Sequence, residues 1–124
     1  MSVYIESFIH RCKRRMSRLS GPTSEDNWQT EESENVIAIY RNDCGKDVAF
    51  TTHRLRWWGN SVSYTDIKET NIDETKTDAK TIHLINHDGE NFEVTIDGGE
   101  GKLRDVWEIL HLLDKIQQSI KKQV

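Results

Sequence analysis

The stretch over residues 48–67, VAFTTHRLRWWGNSVSYTDI, constrains this chain more than any other. Val48 and Phe50 are apolar at even positions, whereas Leu55 and Trp57 are apolar at odd ones. Side chains alternate faces along a strand, so one buried face survives that parity change only across a turn or bulge. Thr52, His53 and Arg54 sit where the break must fall, and short polar side chains there can bond their own backbone. A second break comes at Gly59 and Asn60, which supply the positive φ of a hairpin turn. Val62, Tyr64 and Ile67 then resume a strand rich in β-formers. Three short strands joined by tight turns are expected.

More strands flank this stretch. Residues 35–40 contain the run VIAIY, and the loop from Arg41 to Lys46 turns at Asp43, Cys44 and Gly45. Downstream, a short strand is expected at 69–73, then TIHLIN at 81–86 and NFEVTID at 91–97 around the hairpin signal His87-Asp88-Gly89-Glu90. Phe92, Val94 and Ile96 alternate with Glu93, Thr95 and Asp97, so one face is buried and the other wet. Gly98, Gly99, Glu100 and Gly101 then lead into a final helix over 102–121.

That helix carries two stripes. Leu103, Val106, Trp107, Leu110 and Leu113, extended by Gln117, form one, and Ile109, Leu112, Ile116 and Ile120 form its neighbour. Together they exceed the ~100° that a single core contact needs, so either an N-terminal helix or a second subunit must cover the excess. A run of antiparallel strands followed by one helix argues an α+β, mainly β fold rather than alternating βαβ units.

At the N-terminus, Ile5, Ile9, Cys12, Met16 and Leu19 recur at spacings of three and four, which predicts an amphipathic helix over 2–19, stopped by Gly21 and Pro22. Phe8 widens its stripe. Arg11, Lys13, Arg14, Arg15 and Arg18 make it basic, while 21–34 holds Glu25, Asp26, Glu31, Glu32 and Glu34 with no Lys or Arg. The chain thus divides into a helix at 1–20, an acidic linker at 21–34 with Trp28 pinned to the body, and the main domain at 35–124. The helix has three readings. It packs on its own domain, docks on a partner or another copy, or lies on an anionic membrane with Phe8 and the Ile residues inserted.

Phe50-Thr51-Thr52-His53-Arg54-Leu55, then Gly59 and Tyr64-Thr65-Asp66-Ile67, resembles the bacterial pleckstrin-homology and GRAM-type pattern. That pattern runs hydrophobic, Thr, Asn, any residue, Arg-Leu, a turn, then hydrophobic-Ser-Asp-Ile; Thr52 and Thr65 stand here for its Asn and Ser. With the terminal helix containing Trp107, the resemblance spans 35–124. It implies an antiparallel barrel of about seven strands plugged by a C-terminal helix, to which this chain adds its N-terminal helix. The family's phosphoinositide site would fall around Arg41 to Lys46. Asp43 and Asp47 offset the cations there, so that ligand is not carried over.

Little else points to chemistry. Gly98 to Lys102 fails as a P-loop, since Ile96 stands at its first Gly position and Leu103 where Ser or Thr would hold Mg²⁺. His83 and His87 lie across a strand and its turn, and Asp73, Glu74 and Asp78 lack calcium-loop spacing, so no metal site and no cofactor are expected. Cys44 has Arg41 and Lys46 near it but no adjacent histidine, and no catalytic residue is assigned. The two cysteines, far apart, suit a reduced cytoplasmic protein, and the N-terminus does not read as a secretory signal. A formal net charge of −4 gives no basic field for nucleic acid.

One row is left. With Leu55 and Trp57 inward, Arg54, Arg56 and Trp58 face outward. Either the row grips an acidic peptide, a lipid headgroup or single-stranded nucleic acid, or the arginines pair with Glu and Asp while the N-terminal helix or a neighbouring strand covers Trp58. The chain therefore reads as a non-catalytic protein-interaction module that self-associates through its helices. The alternative is a peripheral membrane adaptor using the basic helix.

Overall fold

Most of the apolar alternations become antiparallel ladders. A computed structural model describes residues 2–23, 28, 30–57, 59–72, 81–98 and 105–122. In chain order these form helix α1 (Ser2–Lys13) and strands β1 (Leu19–Ser20), β2 (Val36–Tyr40), β3 (Val48–Thr51), β4 (Arg54–Trp57) and β5 (Asn60–Ser63). A single 3₁₀ turn, Tyr64–Asp66, leads on to β6 (Ile67–Ile72), β7 (Thr81–Asn86), β8 (Asn91–Thr95) and helix α2 (Asp105–Lys122). The strands make a five-stranded sheet in the order β1-β2-β3-β4-β5 and a three-stranded sheet in the order β6-β7-β8. No ladder joins the two sheets among the described residues. The fold is α+β and mostly sheet.

The expected parity change falls where the β3–β4 hairpin turns. Phe50 pairs with Leu55 and Ala49 with Arg56, a register that leaves Thr52 and His53 as the tight turn. Row by row, Ala38, Phe50, Leu55 and Val62 share the inner face of the sheet. Ile39, Ala49, Arg56 and Ser61 share the outer face. Gly59 turns the next hairpin at φ 73°, a backbone conformation that glycine adopts without penalty.

Three expectations need correction. The segment through Val62, Tyr64 and Ile67 is not one strand, because Tyr64 sits in the 3₁₀ turn that passes the chain from one sheet to the other. The N-terminal helix ends at Lys13, not near Leu19. Arg15 still bonds back to Cys12, but Leu19 and Ser20 then pair with Tyr40 and Ile39, so the open edge of β2 wins over the helical spacing. Met16 and Leu19 reach the core all the same. Trp107, grouped with the buried stripe, lies outside at 36% exposure. At 100° per residue it falls beyond the arc that buries Val106, Ile109, Leu113 and Ile116.

The excess apolar face of α2 is covered within the chain. Ile5, Ile9 and Cys12 of α1 and Ile109, Leu112 and Ile116 of α2 belong to one buried cluster with the strands. Burial foremost raises the Cys12 thiol above its ordinary pKa, so it is a neutral core residue. At the far end of α2, the Gln117 side-chain amide donates to the Ile67 carbonyl at 2.8 Å, anchoring the helix to the first residue of β6.

Polar side chains fasten the ends of the strands. Asn42 donates to the Lys46 and Thr95 carbonyls and accepts from the Asp97 amide. The Asp97 carboxylate accepts in turn from the Asp43 and Cys44 amides at 2.8 and 3.1 Å. The Tyr40 hydroxyl donates to Asp105 at 2.6 Å and accepts from the Gly98 amide at 3.0 Å. A methyl group on Gly98 would collide with that hydroxyl and with the Arg18 stem, which is why this position has no side chain. Gly98→Ala is expected to lower stability by about 1–3 kcal/mol, read as a reduced urea midpoint at unchanged slope.

Candidate basic-aromatic face

The outer face of β4 is organised by one buried carboxylate. Glu34 follows a residue at φ 69°, Ser33, and its side chain is fully buried. Arg54 reaches it with two nitrogens, Nε to Oε2 at 2.9 Å and Nη2 to Oε1 at 3.1 Å, a fork that matches the planar carboxylate. The Thr51 hydroxyl donates to Oε2 at 2.6 Å, and the Glu31 amide to Oε1 at 2.9 Å. The same Thr51 oxygen accepts from the His53 and Arg54 amides, so it also holds the β3–β4 turn. Below it the Tyr64 hydroxyl donates to the Thr51 carbonyl at 2.8 Å.

The titration of Glu34 follows from these contacts. Burial alone pushes its pKa up. The hydrogen bonds from Arg54, Thr51 and the Glu31 amide, together with the guanidinium charge, outweigh that and hold it at about 2. Tyr64 moves the other way, because burial and then the nearby Glu34 charge keep its phenol protonated far above the usual range.

Of the outward row expected on β4, Arg54 is committed to Glu34, with Glu31 3.9 Å from its other nitrogen. Arg56 lies with its guanidinium carbon 5.5 Å from the centre of the Trp28 ring, within cation–π range. Trp58 lies outside the described residues. Trp28 is thus an aromatic neighbour of Arg56 outside the expected row. Its isolation in an acidic stretch signalled only that it would be pinned somewhere. Between Trp28, Gly45, Asp47, Arg56, Trp57 and Asn60 opens a depression of about 560 Å³.

The other candidates are dispersed. On and beyond α1, Arg11, Arg14 and Arg15 are exposed, with Arg15 3.6 Å from Glu108. Arg18 pairs with Asp43 at 2.6 Å. Lys13 is half-buried, and Phe8 packs against the core. In the loop after β2, Arg41 pairs with Asp47 at 3.2 Å, so its charge is balanced as the sequence suggested. His83 faces Glu93 at 3.8 Å across the β7–β8 ladder, whereas His87 is exposed in the turn. Asp73, Glu74 and Asp78 and the glycine-rich segment at 99–102 lie outside the described residues. Among the described residues no three metal-binding side chains cluster, and no helix is long and apolar enough to cross a membrane.

Set against protein-family models, curated proteins and solved structures, the chain finds no match. Its functional reading therefore rests on this geometry.

The acid limb of stability tests the Glu34 assignment. Its folded-state pKa is depressed from 4.5 to about 2. The stabilisation is therefore complete above about pH 4.5 and disappears as pH falls toward 2. Glu34→Gln, which strands Arg54, is expected to cost about 3 kcal/mol at pH 7. It should also flatten the loss of stability between pH 5 and 2, followed by urea unfolding at each pH.

Proposed function

We propose that this chain is a non-catalytic, pleckstrin-homology-like interaction module that meets a protein partner on the outer face of its five-stranded sheet. The observation that carries this reading is the Arg54–Arg56 row beside Trp28, a basic-aromatic surface of the kind that grips an acidic peptide. The likeness of fold has support in strand order. Seven antiparallel strands, β2 to β8, are followed by the helix, in keeping with the strand number and terminal helix that the resemblance implies. The helices cover each other's apolar stripes inside one chain, which favours a partner met on the sheet over a copy met on the helices.

A membrane reading has one observation in its favour, the exposed Arg11, Arg14 and Arg15. Against it, Ile5 and Ile9 are buried at 2% and 0% exposure and cannot enter a bilayer while α1 stays docked. Co-sedimentation of the full chain with neutral and anionic vesicles, at low and physiological salt, separates the two. The protein is expected to stay in the supernatant throughout. Pelleting with anionic vesicles alone, less at the higher salt, would replace the protein-interaction reading with a membrane adaptor.

A further inference from the structure

We infer that the outer face of β4 is a docking surface for an acidic segment carrying an aromatic residue, and that the Trp28 ring and the Glu31 carboxylate are its resident intrachain ligand. This rests on the interaction reading above and names the chemistry of the partner. Both arginines of the row are met by the same short piece of chain. Trp28 lies at Arg56, Glu31 lies 3.9 Å from Arg54, and Glu34 forms the fork on Arg54. The segment's composition complements the surface, since 21–34 carries five carboxylates and no Lys or Arg. On the same outward row Ile39 and Ala49 are 0% exposed, although they face away from the inner core.

The three contacts differ in how firmly they hold. Glu34 is fully buried and almost adjacent to β2, so it is a fixed part of the sheet. The Glu31 side chain is 69% exposed, and Trp28 is only half-buried at the rim of the depression. The Trp28 ring and the Glu31 carboxylate are the exchangeable anchors, while the Glu31 backbone amide stays bonded to Glu34. A competing segment that offers an aromatic ring to Arg56 and a carboxylate to Arg54 displaces them while Glu34 stays in place. The tether gives the resident segment a local concentration in the roughly millimolar range, so an outside ligand binds only when it outcompetes that advantage. The surface is thus closed by default and opens to a partner that matches its chemistry better.

A labelled peptide with the sequence of residues 21–33 tests this, added to the full chain and followed by fluorescence anisotropy. The chain carrying Trp28→Ala and Glu31→Gln is expected to bind the peptide at least about tenfold more tightly than the natural chain, because its own anchors no longer compete. Binding should weaken as salt rises. It should disappear when Trp28→Ala is placed in the peptide or Arg56→Ala is added to the chain. Equal affinity for both chains, binding that survives Arg56→Ala, or no binding at all would overturn the proposal. If the double variant does not fold, the single variants Trp28→Ala and Glu31→Gln give the same reading. Each should bind the peptide more tightly than the natural chain, and affinity equal to the natural chain's for both would sink the idea. A failed peptide with no vesicle binding removes this ligand class and leaves the interaction reading standing, whereas vesicle binding removes that reading itself.

Discussion

A carboxylate without water must be matched bond for bond, and Glu34 is matched on both oxygens. The match draws on parts of the chain that are distant in sequence. Thr51 ends β3, Arg54 begins β4, and Glu31 and Glu34 belong to the acidic segment that precedes β2. Through Thr51 the same site reaches Tyr64, in the turn that carries the chain into the second sheet. Losing any one partner leaves a buried charge or a buried donor unsatisfied. The hairpin geometry, the path of the acidic segment and the crossover between sheets are thus set together.

How much of this was legible in the sequence depended on the range of the interaction. Strands such as Thr81–Asn86 and Asn91–Thr95 were readable because β-branched and aromatic residues alternate over several positions, whereas the polar run through 63–72 hid where one strand ends and the next begins. The glycine turns were readable because Gly59 and Gly89 need positive φ. Burial of Leu55 and Trp57 against half-buried Arg54 and Arg56 also followed from period two. The end of α1 did not, since helical spacing continues through Met16 and Leu19 and nothing local announces that Leu19 will pair with Tyr40. Nor was the Glu34–Arg54 pair visible. Twenty positions separate them, and Glu34 is one carboxylate among several in its segment.

The charges show the same division. Read along the chain, a basic N-terminus and an acidic linker look like two exposed patches of opposite sign. In three dimensions several of those charges meet. Arg18 joins Asp43 and comes within 3.8 Å of Asp97, Arg15 approaches Glu108, and Arg54 takes Glu34. Composition alone cannot show this pairing.

The two residues of β1 have a role out of proportion to their length. The neighbouring run VIAIY in β2 is apolar, β-prone and uncharged, the composition that lets identical segments stack into fibrils when an edge lies open. Leu19 and Ser20 pair along that edge, and α1 holds them there through Met16 and the core. Detaching the first twenty residues would therefore do more than remove a helix from the body. It would bare the Ile39–Tyr40 end of the β2 edge, leaving two more backbone positions of an apolar strand open to pairing.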